Sequence, residues 1–448
     1  MSLSGRLHAR FGDFWWYAAL MFLACRTGDV VQAFIGLWLV PHYVGQAELG
    51  AALPLMQMAS MVGLPLSVLV VPFSRWLTIY AARGELGKVK RLLSLAFKSV
   101  AAMFVLSLAA AHFILPLAFE RLRIAEGSLG LLILAAGLAG PLSSVFNNAL
   151  QGLKRFKAMS FISAVSAPAR LIVMLVAMPF RALSGYMLGQ CAAPAVMVAV
   201  SCRSLKGILG GAVKSVPLGR SDVREMVRYT IPVAFHMTVC TITGTWLMVL
   251  FRQRLPEVES AAFYIISRLA EIAAYAGMTL SVVAFPLAAE EREKGTGGRS
   301  LLRKLVAGTL IPGLAVAALF AVFGEWILGV VPLWEDYVPY ATLLSLFTLR
   351  TAVSATAGVF VSFEMAMGRF RFMWYYIPCV LVETMALVVL TGAGVFRGVL
   401  PDSAVDWMES VRAARLEFFV WWLLGASFVT LGCEALHALI RAKRMPKG

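Results

Sequence analysis

Charge is what this sequence is shortest of. Only 14% of its 448 residues are Asp, Glu, Lys or Arg, where a soluble chain carries about 25%. With 60% of the residues hydrophobic, a water-facing surface cannot be built, which excludes an ordinary soluble domain. Paired cysteine motifs are missing too. Cys25, Cys191, Cys202, Cys240, Cys379 and Cys433 lie in or at the ends of apolar stretches, and none forms a CxxC pair. That pattern fits neither a disulfide framework nor a metal ribbon, and the cysteines read as small packing residues. The five histidines are scattered without zinc spacing, so no metal centre is expected. No phosphate-cradling loop is present, since "GELGKVKRLL" lacks the required glycine and lysine spacing and follows no strand. Long polar segments are absent as well. The longest, 203–226 and 397–415, are too short for a folded catalytic domain, and neither membrane face gathers a cluster of acids, histidines or metal ligands. An enzyme is therefore not expected.

What the chain has instead is apolar runs. Twelve are recognised, at 14–40, 47–72, 93–119, 128–151, 158–180, 183–202, 227–251, 260–288, 302–328, 337–363, 372–396 and 416–440. A helix needs about 20 residues to cross a hydrocarbon core of about 30 Å. Continuous apolar runs cross lipid as helices, because only there does the backbone satisfy itself within one segment. The first run is too long for a cleavable leader and has no small-residue cleavage site after it. The expected fold is an all-α integral membrane protein with twelve transmembrane helices.

The net charge of +16 raises nucleic acid as a partner, but the distribution of the charge points elsewhere. With the N-terminus placed in the cytoplasm and the sides alternated, inner segments hold 28 of the 40 Lys and Arg residues. This positive-inside bias puts both termini in the cytoplasm and places basic loops against anionic lipid heads. No nucleic-acid partner is expected.

The midpoint segment divides the chain into a first bundle at 1–203, a basic linker at 204–226 and a second bundle at 227–448. The two bundles look related. "VVPF" at 70–73 recurs as "VVAF" at 282–285, and "KRFK" at 154–157 meets "GRFRF" at 368–372 at nearly the same offset. Two matches in equivalent topological slots point to duplication. Because each half has an even number of spans, the pseudo-two-fold axis runs along the membrane normal.

On this layout, "NNALQGLKRFKAMSFISAVSAPARLIVMLV" (147–176) and "SAAFYIISRLAEIAAYAGMTLSVVAFPLAAE" (260–290) resemble the fourth-to-fifth and eighth spans of the polysaccharide-transporter branch of the multidrug/oligosaccharidyl-lipid/polysaccharide flippase superfamily. The resemblance implies a V-shaped, MATE-like pair of bundles with a central cavity lined by the first, second, seventh and eighth spans. It also implies alternating access, coupled to H+ or Na+. The implied cargo is a polyprenyl-pyrophosphate-linked oligosaccharide, moved to the outer leaflet of a bacterial inner membrane by a monomer. Glycosyltransferases or a polymerase of the same pathway would be its partners. A cation-coupled multidrug or small-molecule antiporter of the same fold remains open. A lipid II flippase fits less well, since those usually carry two further spans. A purely structural membrane protein fits poorly with duplicated halves that hold mid-membrane charge.

Those charges are the candidate site. Arg26, Arg170, Arg268 and Arg350 share mid-membrane depth with Asp29, Glu271 and Glu383, while Glu364 and Glu434 lie nearer the cytoplasmic ends. Each mid-span charge costs on the order of 3 kcal/mol if left unpaired in lipid, so these groups must pair or face water. Arg26-x-x-Asp29 and Arg268-x-x-Glu271 have i,i+3 spacing, which puts both partners on one helix face. Two readings stay open for each pair, a packing salt bridge or an arginine offered to a pyrophosphate with the acid holding it or exchanging protons. Arg170 and Glu383 occupy matching slots in the fifth and eleventh spans, where structural pairing or a groove for the lipid tail is favoured. Arg350 has no acid within a turn, so it must find a partner elsewhere or face water, where it is a candidate anion contact. Asn147, Asn148 and Gln151 end the fourth span, where capping competes with contact to sugar hydroxyls. Trp15, Trp16, Tyr17, Trp334, Trp421 and Trp422 read as interfacial anchors. The segment 397–415 is expected as a short surface helix.

Overall fold

The computed structural model describes residues 26–122, 129–153, 155–209, 213–293, 299–391 and 415–444. Among these, every regular element is helical and none is a strand. The first helix, α1, covers 26–43. It passes through a π-helical turn at Ile35–Leu39, where the Val40 amide reaches back five residues to the Ile35 carbonyl, just before Pro41. The other long helices are α2 (Gln46–Ala82), α3 (Leu86–Leu122), α4 (Leu129–Gly152), α5 (Phe156–Ala177), α6 (Ala182–Ser204), α7 (Arg220–Arg254), α8 (Glu257–Glu293), α9 (Arg299–Val330), α10 (Ala341–Ala366), α11 (Met373–Thr391) and α12 (Arg415–Arg444). A short turn, Lys206–Leu209, follows α6, and a 3-10 helix, Pro332–Tyr340, precedes α10.

Eight stretches in the described residues are long and apolar enough to span a membrane, so the chain is a multi-pass membrane protein. The other four expected spans differ for visible reasons. The run 14–40 lies mostly outside the described residues, and the run 372–396 extends past them. Many side chains of α3 and α8 likewise lie outside the described residues. The segment 397–415 and Trp15, Trp16 and Tyr17 also lie outside, or all but outside, the described residues. Trp334 is 6% exposed, so it is a packing residue of the Pro332–Tyr340 helix and not a lipid-facing anchor. Trp421 does face outward.

The helices group into two compact units, Met1–Val44 with Leu55–Thr241, and Gly45–Pro54 with Ile242–Gly448. The first turns of α2 go with the second unit because Gly50 packs on the Ser260 side chain and Gln46 Nε2 donates to Asp336 Oδ2 at 2.5 Å. Within the first unit α3 packs on α4, while α6 packs on α4 and α5. Within the second unit α9 packs on α10, while α12 packs on α10 and α11, the same partners six helices later. The turns repeat as well. After α4, the amides of Leu153 and Arg155 bond the carbonyls of Ala149 and Leu150. After α10, the amides of Met367 and Arg369 bond those of Phe363 and Glu364. The five-residue reach of Arg155 and of Arg369 is the bond that closes a helix before a sharp reversal, made in both units at one constant offset.

Close helix approach in the first unit rests on small residues, as in membrane helix pairs generally. A Cβ at Gly63 of α2 would overlap the Gly137 carbonyl of α4, and a Cβ at Gly137 would overlap the Ala59 carbonyl. In the second unit the Gly313 position of α9 is as tight, against Ala352 of α10.

The segment after α6 is clamped to the start of α3. Lys88 Nζ lies 2.8 Å from Glu85 and 3.1 Å from Asp222. Lys90 Nζ donates to the Val213 carbonyl at 2.9 Å, and the Val216 amide to the Gly87 carbonyl at 3.2 Å. Gly87 has no room for a side chain, because a Cβ there would meet Val216 and the Lys214 carbonyl. Hydrogen bonds to Glu85 and Asp222 push the Lys88 pKa up. The raised value means that the clamp's contribution is complete below the ordinary lysine range and is lost only as pH climbs through the folded pKa.

The Gly63–Gly137 crossing gives a direct test. Gly63→Ala is expected to lower stability in detergent by about 1–3 kcal/mol through overpacking, read as a lower thermal midpoint. Gly140→Ala on the same α4 meets nothing within 4 Å and should leave the midpoint unchanged or higher. Equal loss in both would rule out the close crossing.

Candidate functional site

Both i,i+3 ion pairs are formed, each inside its own unit. On α1, Arg26 Nη2 lies 2.9 Å from Asp29 Oδ2, and the two side chains are 29% and 28% exposed. One turn on, the Gln32 Oε1 is buried without a hydrogen bond, and the π-helical turn follows. Such turns loosen a helix locally and recur at functional sites. On α8, Arg268 Nη1 lies 2.6 Å from Glu271 Oε1, with 11% and 31% exposure. The Arg268 guanidinium also lies 5.3 Å from the centre of the fully buried Tyr264 ring. The same spacing thus yields two environments. Arg26 and Asp29 are equally open, whereas Arg268 is held between a ring and a carboxylate and its acid is the more accessible group.

Arg350 finds its counter-charge on another helix. Glu383 of α11 interacts electrostatically with Arg350 of α10, and the guanidinium sits 5.3 Å from the Phe347 ring centre. The Arg350 Nε is buried without a hydrogen bond. α12 joins the group through Trp422, whose indole nitrogen donates to the Glu383 backbone carbonyl at 3.3 Å. Arg350 is therefore neutralised in part across a helix interface, which its own sequence neighbourhood could not indicate.

Arg170 of α5 donates from Nη1 to Gln190 Oε1 of α6 at 3.3 Å. Gln190 is itself buried and lines a cavity of about 280 Å³. Its walls come from α2, α4 and α6, with Ser60, Ser67, Gly140 and Pro194 among them. A cation thus stands one hydrogen bond behind a cavity wall. Arg170 and Glu383, which hold matching sequence slots, belong to different units, and each has a partner within its own.

Asn147 of α4 buries its Oδ1 without a hydrogen bond, which a helix-end cap would not do. Gln151 is on the last turn of α4, and its side chain lies outside the described residues. Sequence reasoning passed over Gln190, Ser60 and Ser67. The available signal was a glutamine in the middle of the apolar run 183–202. It also assigned no role to Glu434 of α12, which is 1% exposed with neither carboxyl oxygen hydrogen-bonded. Among the described residues no three His, Cys, Asp or Glu gather as metal ligands.

The Arg350–Glu383 interaction can be measured by a double-mutant cycle. Arg350→Met and Glu383→Gln should each lower stability, and the double variant should recover about 0.5–3 kcal/mol of the summed loss. Strict additivity in detergent unfolding would show that the two groups do not interact.

No family model matches the chain, and no curated protein is significantly similar to it in sequence. Solved structures match its fold. An inward-facing multidrug-resistance MATE family transporter of the MOP superfamily is 14% identical, with a TM-score of 0.62 over 95% of this chain and 99% of that one. A MATE transporter of Vibrio cholerae, bearing one Asp-to-Asn substitution, is 14% identical, with a TM-score of 0.64 over 96% and 98%. A MOP superfamily transporter from Pyrococcus furiosus is 12% identical, with a TM-score of 0.62 over 97% of each chain, and its binding pocket is described as of reverse polarity. The chain therefore has the fold of MATE transporters of the MOP superfamily along nearly its whole length.

Proposed function

We propose that this protein is a transporter that moves an anionic, lipid-linked oligosaccharide across the bacterial inner membrane by alternating access. Its cargo is a polyprenyl-pyrophosphate-linked sugar chain carried from the cytoplasmic to the outer leaflet. The observation that carries this reading is the partly open Arg26–Asp29 pair, inside the first apolar run of the sequence. A guanidinium 29% exposed is open to a bidentate, charge-assisted contact with a phosphate. The arginine behind the cavity wall adds positive charge in the first unit. Cytoplasmic termini and a monomeric state belong to the same reading, as does coupling to an ion.

A second reading is supported by the fold neighbours, two of which are multidrug-resistance MATE transporters. Asp29 and Glu271 would then attract a cationic drug. The Pyrococcus protein shows that pocket polarity is treated as a mark of different function within this fold. Four arginines against three acids at mid-depth favour the anionic cargo here.

The experiment is transport by the purified protein in proteoliposomes loaded with a labelled polyprenyl-pyrophosphate oligosaccharide. Flipping is expected in the intact protein, as is its loss in Arg26→Ala with insertion and thermal midpoint retained. Arg268→Ala should lose flipping together with stability, because that side chain is packed. Export of cationic dyes without any lipid flipping would favour the second reading, and normal flipping in Arg26→Ala would remove Arg26 from the substrate site.

A further inference from the structure

Glu434 is a carboxyl group in the wrong place for a charge. It lies in the span Leu416–Glu434 of α12, is 1% exposed, and neither carboxyl oxygen has a hydrogen bond. An ionised carboxylate so enclosed carries a desolvation cost that no described side chain of its own helix offsets, and groups in that position take up a proton instead. The described groups on α11 that sense its charge, Tyr375 and Cys379, are themselves weak acids. α10 contributes Glu364, which is 3% exposed. α11 contributes the buried Tyr375 hydroxyl, which both Glu364 and Glu434 influence electrostatically. Also on α11 is Cys379, whose Sγ lies 4.0 Å from Cys433 of α12. Cys379 in turn senses both Glu434 and Glu383. Arg350, the cation on this face of α10, interacts with Glu383. No described cation pairs with Glu434.

We propose that Glu434 is a proton-binding site at the meeting of α10, α11 and α12, loaded in this conformation and emptied when these helices part, and that its proton drives the transport cycle. The occupant is a proton and not a metal cation. A sodium ion needs several oxygens converging on it, and the groups here include two thiols and no gathered ligand set among the described residues. The place of the site matters to its use. The residue that closes α10 before its reversal is bonded to Glu364 itself, through the Arg369 amide on the Glu364 carbonyl. Movement of that turn would shift Glu364, which shares the Tyr375 hydroxyl with Glu434, and with it the relative cost of the charged form.

The driving role rests on the transporter reading above, whereas proton occupancy does not. Two measurements therefore separate them. Infrared difference spectra of the intact protein in lipid vesicles, titrated with pH, should contain a protonated carboxyl band that is lost in Glu434→Gln. That substitution mimics the neutral form and should fold. If the band persists unchanged in Glu434→Gln, or responds to sodium and not to pH, the site is not a proton site and the proposal falls. In proteoliposomes, flipping driven by an imposed pH gradient should drop in Glu434→Gln to the rate seen without a gradient, while binding of the labelled lipid is retained. Unimpaired gradient-driven flipping in that variant overturns the driving role. Absence of flipping in the unmodified protein overturns the lipid-transport reading, with the infrared result standing on its own.

Discussion

A charge inside hydrocarbon must be matched within a few ångströms, and this requirement organises the molecule. Backbone groups meet it by forming helices, so every described regular element is helical. Side chains meet it at three ranges. Arg26–Asp29 and Arg268–Glu271 close within one turn. Arg350 with Glu383, and Arg170 with Gln190, close across a helix interface. Glu434 finds no hydrogen bond among the described residues, which is why it is the proposed proton site.

Duplication supplies the frame on which these matches are hung. The two units repeat their helix contacts and the hydrogen bonds of the turns after α4 and α10. They do not repeat their polar interiors. The first unit has a cavity with a glutamine on its wall and an arginine behind it. The second has an arginine and an array of acids and thiols among α10, α11 and α12. A shared scaffold with unlike interiors is what a division of tasks between cargo contact in one half and ion exchange in the other, as proposed, would require.

Packing shapes these interiors. Where α2 crosses α4, glycines let backbones touch, and that closeness sets the size of the neighbouring cavity. Where Gly87 receives the segment after α6, the chain is drawn against the start of α3 and held by the Lys88 cluster. Small residues thus decide where helices meet, and the larger polar groups occupy the room that remains.

What the sequence determined by itself was local. Run length and the scarcity of charge dictated membrane helices, because one helix must satisfy its own backbone in lipid. The Arg-x-x-acid spacing dictated two ion pairs, because residues three apart share a helix face whatever surrounds them. The repeat was legible for the same reason, as matching turns need matching residues. Tertiary structure decided everything that joins distant helices. It placed Glu383 beside Arg350 and Gln190 beside Arg170, buried Trp334, and made Arg26 open while Arg268 is enclosed. It also left Glu434 without a partner. Those outcomes depend on the rotation and crossing of helices far apart in the chain, which no periodicity within a single helix encodes.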